Sequence, residues 1–192
     1  MSENIRVGLI GYGYASKTFH APLVAGTPGM ELAAITSSDE TKVRADWPAV
    51  PVVTEPKHLF NDPNIDLIII PTPNDTHFPL AKAALEAGKH VVVDKPFTVT
   101  LSQARELDAL ARSLGRLLSV FHNRRWDSDF LTVKSLINEG TLGEIAFLSR
   151  ISIVIVRRCE IAGASRRDRA AASGMTWRRI FSIRSFICLV CP

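Results

Sequence analysis

Short apolar segments recur through the first 121 residues of this chain, and turns or helical patterns separate them. Each segment is four to six residues long, the usual length of a buried strand. The six predicted strands are Ile5–Ile10, Glu31–Thr36, Pro51–Thr54, Asp66–Ile70, His90–Val93 and Leu117–Phe121. Apolar strands that alternate with helices are typical of a parallel sheet with helices on both faces. The sequence therefore predicts an α/β fold built on a doubly wound parallel sheet.

Helical periodicity appears in four segments, and a glycine that can end a helix follows each of them closely. The predicted helices are Lys17–Ala25, Ala81–Ala87, Ser102–Leu114 and Asp127–Asn138. The third helix has an apolar face formed by Leu107, Leu110, Ala111 and Leu114. We expect residues 1–122 to form one domain, and the last helix to lie in a connecting segment that covers residues 123–147.

Two glycines lie between the first predicted strand and the first predicted helix, in the segment Gly11-Tyr12-Gly13-Tyr14-Ala15-Ser16. Gly11 allows the tight turn, and Gly13 lets the backbone approach a pyrophosphate. The N-terminus of the following helix offers N–H groups and a partial positive charge to the same anion. Ser16 stands where a third glycine is common, so a small hydroxyl must fit between helix and strand. The position favours a dinucleotide-binding loop over the alternative, an ordinary strand-to-helix turn.

The end of the second strand distinguishes NAD from NADP, because a side chain there meets the adenine ribose. The chain places hydroxyls at this point and charged residues just after it: Thr36, Ser37, Ser38, Asp39, Lys42 and Arg44. Hydroxyls accept a 2′-phosphate without charge repulsion, so the sequence favours NADP over NAD. Two alternatives stay open. Asp39 could bind the ribose hydroxyls of NAD, or Ser37 and Ser38 could simply cap the next helix.

Polar residues follow the fourth and fifth predicted strands, where the carboxyl ends of parallel strands form one edge of the sheet. Ligands of doubly wound sheets bind at that edge. The fourth strand is followed by Pro71-Thr72-Pro73-Asn74-Asp75-Thr76-His77, and the fifth by Asp94-Lys95-Pro96. A lysine at this edge can point into the crevice beside a nicotinamide and take part in proton transfer. The alternative for Lys95 is an ordinary solvated loop lysine.

Five motifs occur together and in order: Ile10-Gly11-Tyr12-Gly13, Phe19-His20-Ala21-Pro22, Pro73-Asn74-Asp75-Thr76-His77, the run from Gly88 through Asp94-Lys95-Pro96, and Gly143-Glu144-Ile145. As a set, over residues 4–147, they resemble the Gfo/Idh/MocA oxidoreductases, the family of glucose–fructose oxidoreductase and inositol 2-dehydrogenase. The resemblance implies a Rossmann domain and NAD(P)-dependent hydride transfer to or from a sugar, polyol or related hydroxy compound. The family motif usually reads Glu-Lys-Pro, and Asp94 departs from it.

The resemblance also implies roles for individual side chains. Lys95 is expected to contact both nicotinamide and substrate, which makes it the candidate catalytic residue. Besides the glycine loop, Ser37 and Ser38, the residues expected near the cofactor are Pro71, Thr72, Asn74, His77, Asp94, Asn123, Arg125 and Trp126. For Trp126, ordinary packing is an equally simple interpretation.

Composition changes abruptly after Phe147. Residues 1–147 carry a net charge of −3, whereas residues 148–192 hold nine arginines, no lysine and two acids, for a net charge of +7. The family continues here with a second domain, in which a glycine-rich stretch precedes Asp-x-x-x-His-x-x-Asp, and this chain shows no such motif. Permitted codons for residues 164–184, read one nucleotide earlier, restore the motif, and Met175-Thr176 forces an aspartate in that frame.

We therefore predict a frameshift near codons 147–148, which sequencing of the locus tests. Residues 148–192 would then be an out-of-frame tail, and the second domain of the family would be missing. We expect that tail to pack poorly, apart from a strand at Ile151–Val156 beside the parallel sheet. The fragment would be catalytically impaired, because the substrate half is replaced.

Several classes of function lose their support from these observations. An Arg-rich tail read out of frame gives no reason to expect a nucleic-acid partner, so a basic interaction protein is only a minor alternative. The main alternative to an oxidoreductase is a nucleotide-binding module without catalysis. Cys188 and Cys191 have C-x-x-C spacing without a second ligand pair, so we expect no metal.

Localisation and partners follow from the same composition. No apolar run reaches 18 residues, and the N-terminus has no secretory pattern. We therefore expect a cytoplasmic protein with a small-molecule substrate and no membrane partner. We expect an oligomer only with the second domain present.

Overall fold

The computed structural model describes residues 4–145, 150–152 and 183–185. Its central sheet contains six strands: β1 (Ile5–Ile10), β2 (Met30–Thr36), β3 (Val52–Val53), β4 (Leu67–Ile70), β5 (His90–Asp94) and β6 (Leu118–Phe121). All are parallel, in the order β3-β2-β1-β4-β5-β6. The doubly wound α/β fold predicted from the sequence is therefore confirmed.

Helices connect the strands at each crossover. They are α1 (Ala21–Gly26), α2 (Glu40–Asp46), α3 (Pro56–Asn61), α4 (Asn74–Glu86), α5 (Leu101–Ser113) and α6 (Ser128–Asn138). A π-helical turn at Ser16–His20 leads directly into α1, so the two together match the predicted first helix. The sequence did not predict α2 and α3, because helices of seven and six residues are too short to show a period.

The start of α4 was predicted wrongly. The sequence placed it at Ala81, after Pro79. A proline inside a helix removes a hydrogen bond and clashes with the preceding turn. The helix begins at Asn74 instead, with Pro79 in its interior. Thr76 donates both its backbone N–H, at 2.9 Å, and its hydroxyl, at 2.6 Å, to the carbonyl of Pro73. These bonds hold the first turn in place despite the proline.

Two apolar clusters cover the sheet, and successive residues of β4 alternate between them, as the pleat of a strand requires. One cluster includes Ile68, Ile70, Leu85, Val91, Val93 and Leu107, and the other includes Val7, Leu9, Val24, Ile35, Val43 and Ile69. Fewer residues of the predicted apolar face of α5 are buried than the sequence indicated. Leu107 and Ala111 are buried, but Leu114 is exposed.

The chain divides into two compact units, residues 1–122 and residues 123–192. In the second unit, a 3₁₀ turn at Asn123–Trp126 precedes α6, and β7 (Arg150–Ser152) pairs antiparallel with β8 (Ile183–Ser185). The strand expected at Ile151–Val156 thus begins one residue earlier, and its hydrogen-bonded neighbour is β8 rather than a strand of the parallel sheet. The predicted poor packing of the tail lies outside the described residues.

Candidate functional site

The direction of the chain connections reverses at the centre of the sheet. From β1 the chain goes to β2 on one side, and from β4 it goes to β5 on the other. Such a reversal opens a crevice at the carboxyl ends of the strands, where ligands bind in this architecture. The register places Ile10 beside Thr36 and Ile70 beside Val93. The predicted site segments that follow these strands therefore emerge at the same edge of the sheet.

The glycine loop is held firmly at Gly11 and is open at Gly13. Gly11 has a φ of +83°, and its N–H donates to the buried Thr36 hydroxyl at 2.7 Å. Ser16 is also buried, and its hydroxyl donates to the Gly11 carbonyl at 2.8 Å. A side chain added at Gly13 would meet nothing within 4 Å. The backbone at Gly13 is thus free for close approach by a ligand.

Thr36 has a partner that the sequence did not predict. The sequence grouped its hydroxyl with Ser37 and Ser38 as a partner for a 2′-phosphate. In the structure that hydroxyl accepts the Gly11 N–H. A hydroxyl residue at the end of the strand paired with β1 is the sequence feature that indicates this contact.

Tyr12 lies in the glycine loop, but its side chain is bound to α2. Its hydroxyl donates to Asp46 Oδ2 at 2.9 Å, and Lys17 Nζ lies 2.7 Å from the same carboxylate oxygen. Burial, together with the hydrogen bond and the negative charge of Asp46, raises the pKa of Tyr12 to about 12. Tyr12 therefore anchors the loop through its side chain and can offer a cofactor only its backbone. Tyr14, by contrast, is 74% exposed.

Tyr12→Phe is expected to weaken the alkaline dependence of stability. The Tyr12 phenol holds its proton more tightly in the folded chain, so its contribution is complete below about pH 10 and is lost as the pH rises toward about 12. Urea midpoints should therefore fall less between about pH 9 and about pH 11 in Tyr12→Phe than in the wild type. Tyr14→Phe is the matched control. An equal fall in Tyr12→Phe and the wild type would contradict the assignment.

The side chains after β2 already form a local network. Ser37 Oγ donates to the Asp39 carbonyl at 2.9 Å and accepts the Asp39 N–H at 3.1 Å. The Asp39 carboxylate accepts the Thr41 hydroxyl at 2.5 Å and lies 3.2 Å from Lys42 Nζ. The hydrogen bonds from Thr41 and Lys42 lower the pKa of Asp39. Asp39 is therefore an ionised group directed at α2.

The helix-capping alternative for Ser37 and Ser38 is not what the structure shows. Asp39 occupies the N-cap position of α2 and makes no side-chain capping bond. Ser37 instead forms a turn with Asp39, and Ser38 is exposed at the end of the strand. Arg44 pairs with Glu40 on the exposed surface of α2.

The segment after β4 combines exposed and buried predicted residues. Asn74 is exposed at the first position of α4, whereas Pro71 and Thr72 are half-buried. His77 is fully buried, and both ring nitrogens have partners. Nδ1 lies 2.8 Å from the Pro96 carbonyl oxygen, and Nε2 lies 2.8 Å from the Thr72 carbonyl oxygen. His77 thus connects the segments that follow β4 and β5.

Lys95 is exposed at the end of β5, and the residue before it is tightly bound. Asp94 Oδ1 accepts the Lys95 N–H at 2.7 Å, and Asp94 Oδ2 lies 3.5 Å from Nε2 of the buried His20. The ring of His20 packs against Phe121, with centroids 4.4 Å apart. Burial alone would raise the pKa of Asp94, but the hydrogen bonds from His20 and from the Lys95 N–H together lower it. Asp94, the residue before Lys95, is therefore ionised and held in place on both sides of its carboxylate.

Three predicted cofactor residues belong to the second unit. Asn123, Arg125 and Trp126 all lie on the 3₁₀ turn that follows β6, and the Trp126 side chain is 77% exposed. Their part in a cofactor site stays a prediction. Among the residues that the structure describes, no three histidine, cysteine or acidic side chains are grouped as a metal site. No helix in that part of the chain is long and apolar enough to cross a membrane.

The chain is similar to known oxidoreductases. The model of the oxidoreductase family GFO_IDH_MocA, with an NAD-binding Rossmann fold, matches residues 5–122. The oxidoreductase YdgJ of Escherichia coli K12 is 87% identical over 147 residues, which cover 77% of this chain and 42% of that protein. The scyllo-inositol 2-dehydrogenase (NADP(+)) IolW of Bacillus subtilis is 43% identical over 143 residues, or 74% of this chain and 40% of that protein.

Solved structures show the same likeness. The YPO2259 protein of Yersinia pestis superposes with a TM-score of 0.76 at 66% identity, covering 83% of this chain and 47% of that one. Biliverdin reductase of Synechocystis sp. PCC 6803 was solved with biliverdin and NADP+. It superposes with a TM-score of 0.67 at 34% identity, and the match covers 79% of this chain and 47% of that one. The chain thus spans about two fifths of the length of the curated relatives described above.

Proposed function

The chain belongs to the Gfo/Idh/MocA family of oxidoreductases with an NAD-binding Rossmann fold, and on that premise we propose that residues 1–122 bind NADP at the crevice between β1 and β4. The observation that carries the proposal is the reversal of strand order beside an open Gly13. The pyrophosphate would lie against the glycine loop and the helix that follows it. The nicotinamide would then extend toward Lys95.

The preference for NADP rests on the network after β2. Asp39 is the acidic side chain that could bind the ribose hydroxyls of NAD, but Thr41 and Lys42 already engage its carboxylate. Ser37 and Ser38 bring no charge that would repel a 2′-phosphate, and Lys42 and Arg44 are exposed cations on α2, the helix that follows them. Two similar proteins support NADP: IolW is an NADP(+) dehydrogenase by name, and biliverdin reductase was solved with NADP+.

For the whole protein we propose hydride transfer between the nicotinamide and a sugar, polyol or related hydroxy compound. A bound nicotinamide supplies the hydride chemistry. Lys95 would donate or accept the proton of the substrate oxygen at Nζ, since it is exposed at the crevice edge on a loop anchored through Asp94. IolW, named for its action on scyllo-inositol, supports a polyol as the substrate class.

A second candidate is a nucleotide-binding module without catalysis. It is favoured by the family match, which covers residues 5–122 and is to an NAD-binding Rossmann fold. For this chain alone we therefore expect cofactor binding with little or no turnover.

Two assays on the full chain test these proposals. NADPH should give a saturable change in nicotinamide fluorescence, and no saturable change would overturn the binding proposal. NADP+ is then incubated with inositols and sugars while reduced nicotinamide is followed by absorbance. Reduction that disappears in Lys95→Met would establish hydride transfer within this chain, whereas binding without reduction would support the module.

A further inference from the structure

Lys95 lies between two residues that buried histidines hold in place. His20 is 2% exposed and contacts the side chain of Asp94, the residue before Lys95. His77 is 0% exposed and contacts the carbonyl of Pro96, the residue after it. We propose that His20 and His77 are positioning residues that clamp the Lys95 loop from both sides and so fix where the lysine meets the nicotinamide. The inference rests on the proposed binding of a dinucleotide at this crevice.

The clamp extends the pairing of β4 and β5 beyond the ends of the strands. The last paired residues of these strands are Ile70 and Val93. His77 then bridges the carbonyls of Thr72 and Pro96, each at 2.8 Å, so it joins the two segments past the last ladder pair. Both partners are acceptors, so each contact is a complete hydrogen bond only when the ring nitrogen that makes it carries a hydrogen. Both ring nitrogens of His77 face these carbonyls, which favours a positioning role near the cofactor.

The second half of the clamp acts through Asp94. His20 comes from the π-helical turn after the glycine loop, and its ring is fixed against Phe121 at the end of β6. One carboxylate oxygen of Asp94 is 3.5 Å from His20, and the other accepts the Lys95 N–H. His20 thereby links the π-helical turn to the ends of β5 and β6, directly before Lys95. The Lys95 side chain is exposed, whereas Asp94 is half-buried.

Paired substitutions separate positioning from simple structural support. In His77→Asn the amide nitrogen can occupy the place of Nδ1 and still donate to Pro96, whereas in His77→Gln it can occupy the place of Nε2 and donate only to Thr72. The full chain is titrated with NADPH and with 2′,5′-ADP, which lacks the nicotinamide half. Exposed His58, changed to Gln and to Asn, is the control.

The clamp predicts a loss that is selective for the nicotinamide end. His77→Gln should weaken NADPH binding by about 5- to 10-fold, the effect of one misplaced buried hydrogen bond, and should leave 2′,5′-ADP binding within about 2-fold. His77→Asn should retain NADPH binding within about 2-fold. Equal weakening of both ligands, or equal behaviour of the Gln and Asn variants, would overturn the proposal.

The same logic at His20 covers the case in which the His77 variants fail to fold. At His20 the nitrogen that makes the contact is Nε2, whose place a glutamine amide can take. His20→Gln should therefore keep NADPH affinity, whereas His20→Asn should weaken NADPH binding and leave 2′,5′-ADP binding unchanged. The reverse order, or no difference, would overturn the clamp. A wild-type chain that binds neither NADPH nor 2′,5′-ADP would instead contradict the proposed function, so the two failures are distinguishable.

Discussion

Replacing Gly13 with valine is expected to weaken NADPH binding by about 100-fold or more, while the free energy of unfolding stays nearly unchanged. In the free chain, a Cβ at this position would meet nothing within 4 Å, so we expect the valine to be accommodated. The space is needed only when a pyrophosphate approaches the backbone. The expected size corresponds to the loss of two charge-assisted hydrogen bonds between the pyrophosphate and the backbone of the loop, at about 1.5 to 3 kcal/mol each.

The control for this variant is Gly26→Val. Gly26 ends α1 and also has nothing within 4 Å, so the same chemical change is made away from the loop. Its NADPH affinity should match that of the wild type. Gly11 is unsuitable as a comparison, because its φ of +83° would strain any other residue. Unchanged NADPH binding in a folded Gly13→Val chain would show that the loop is not the pyrophosphate site.

Ser37→Asp is expected to reverse the cofactor preference from NADPH to NADH. A carboxylate at the end of β2 would repel the 2′-phosphate and accept hydrogen bonds from the ribose hydroxyls. Two like charges about 4 Å apart near a protein surface repel by about 4 kcal/mol before screening, so we expect the ratio of the two dissociation constants to change by about 100-fold.

The measurement compares NADPH and NADH dissociation constants in the wild type, in Ser37→Asp and in Ser113→Asp. The last variant adds the same charge at an exposed position at the end of α5. A wild-type chain that prefers NADH would contradict the NADP proposal. Asp39 would then have to leave Thr41 and Lys42 to bind the ribose, and Asp39→Asn should remove that preference.

The parts of the fold that the sequence predicted are those with a strong local signal. Each of the six strands is a short apolar run, and the first ends in Gly11, whose positive φ the turn requires. Where two local rules disagree, residue type alone does not decide between them. Pro79 argues against a helix at its position, yet α4 begins at Asn74, and Thr76 bonds to the Pro73 carbonyl in its first turn.

The contacts that the sequence could not predict are those between distant segments. His77 was predicted near the cofactor, and the sequence did not indicate that its ring nitrogens lie 2.8 Å from two backbone carbonyls. Lys89 belongs to the motif that begins at Gly88, but its contacts were not predicted: it is buried and donates to the carbonyls of Asp62 and Ile65. The sequence placed Tyr12 in the glycine loop but gave no indication that its hydroxyl is bound to Asp46. Residue type suggests a chemical role, but only the packing decides which partner uses it.

The central claim is that a dinucleotide binds at the carboxyl edge of the sheet, between the glycine loop and the Lys95 loop. Amide hydrogen exchange of the full chain, measured with and without saturating NADPH, tests this most directly, because it reports protection segment by segment. The account predicts slower exchange at residues 11–17 and 94–97, with no change in the helix Leu101–Ser113. Protection confined to other segments, or no protection at all, would contradict it.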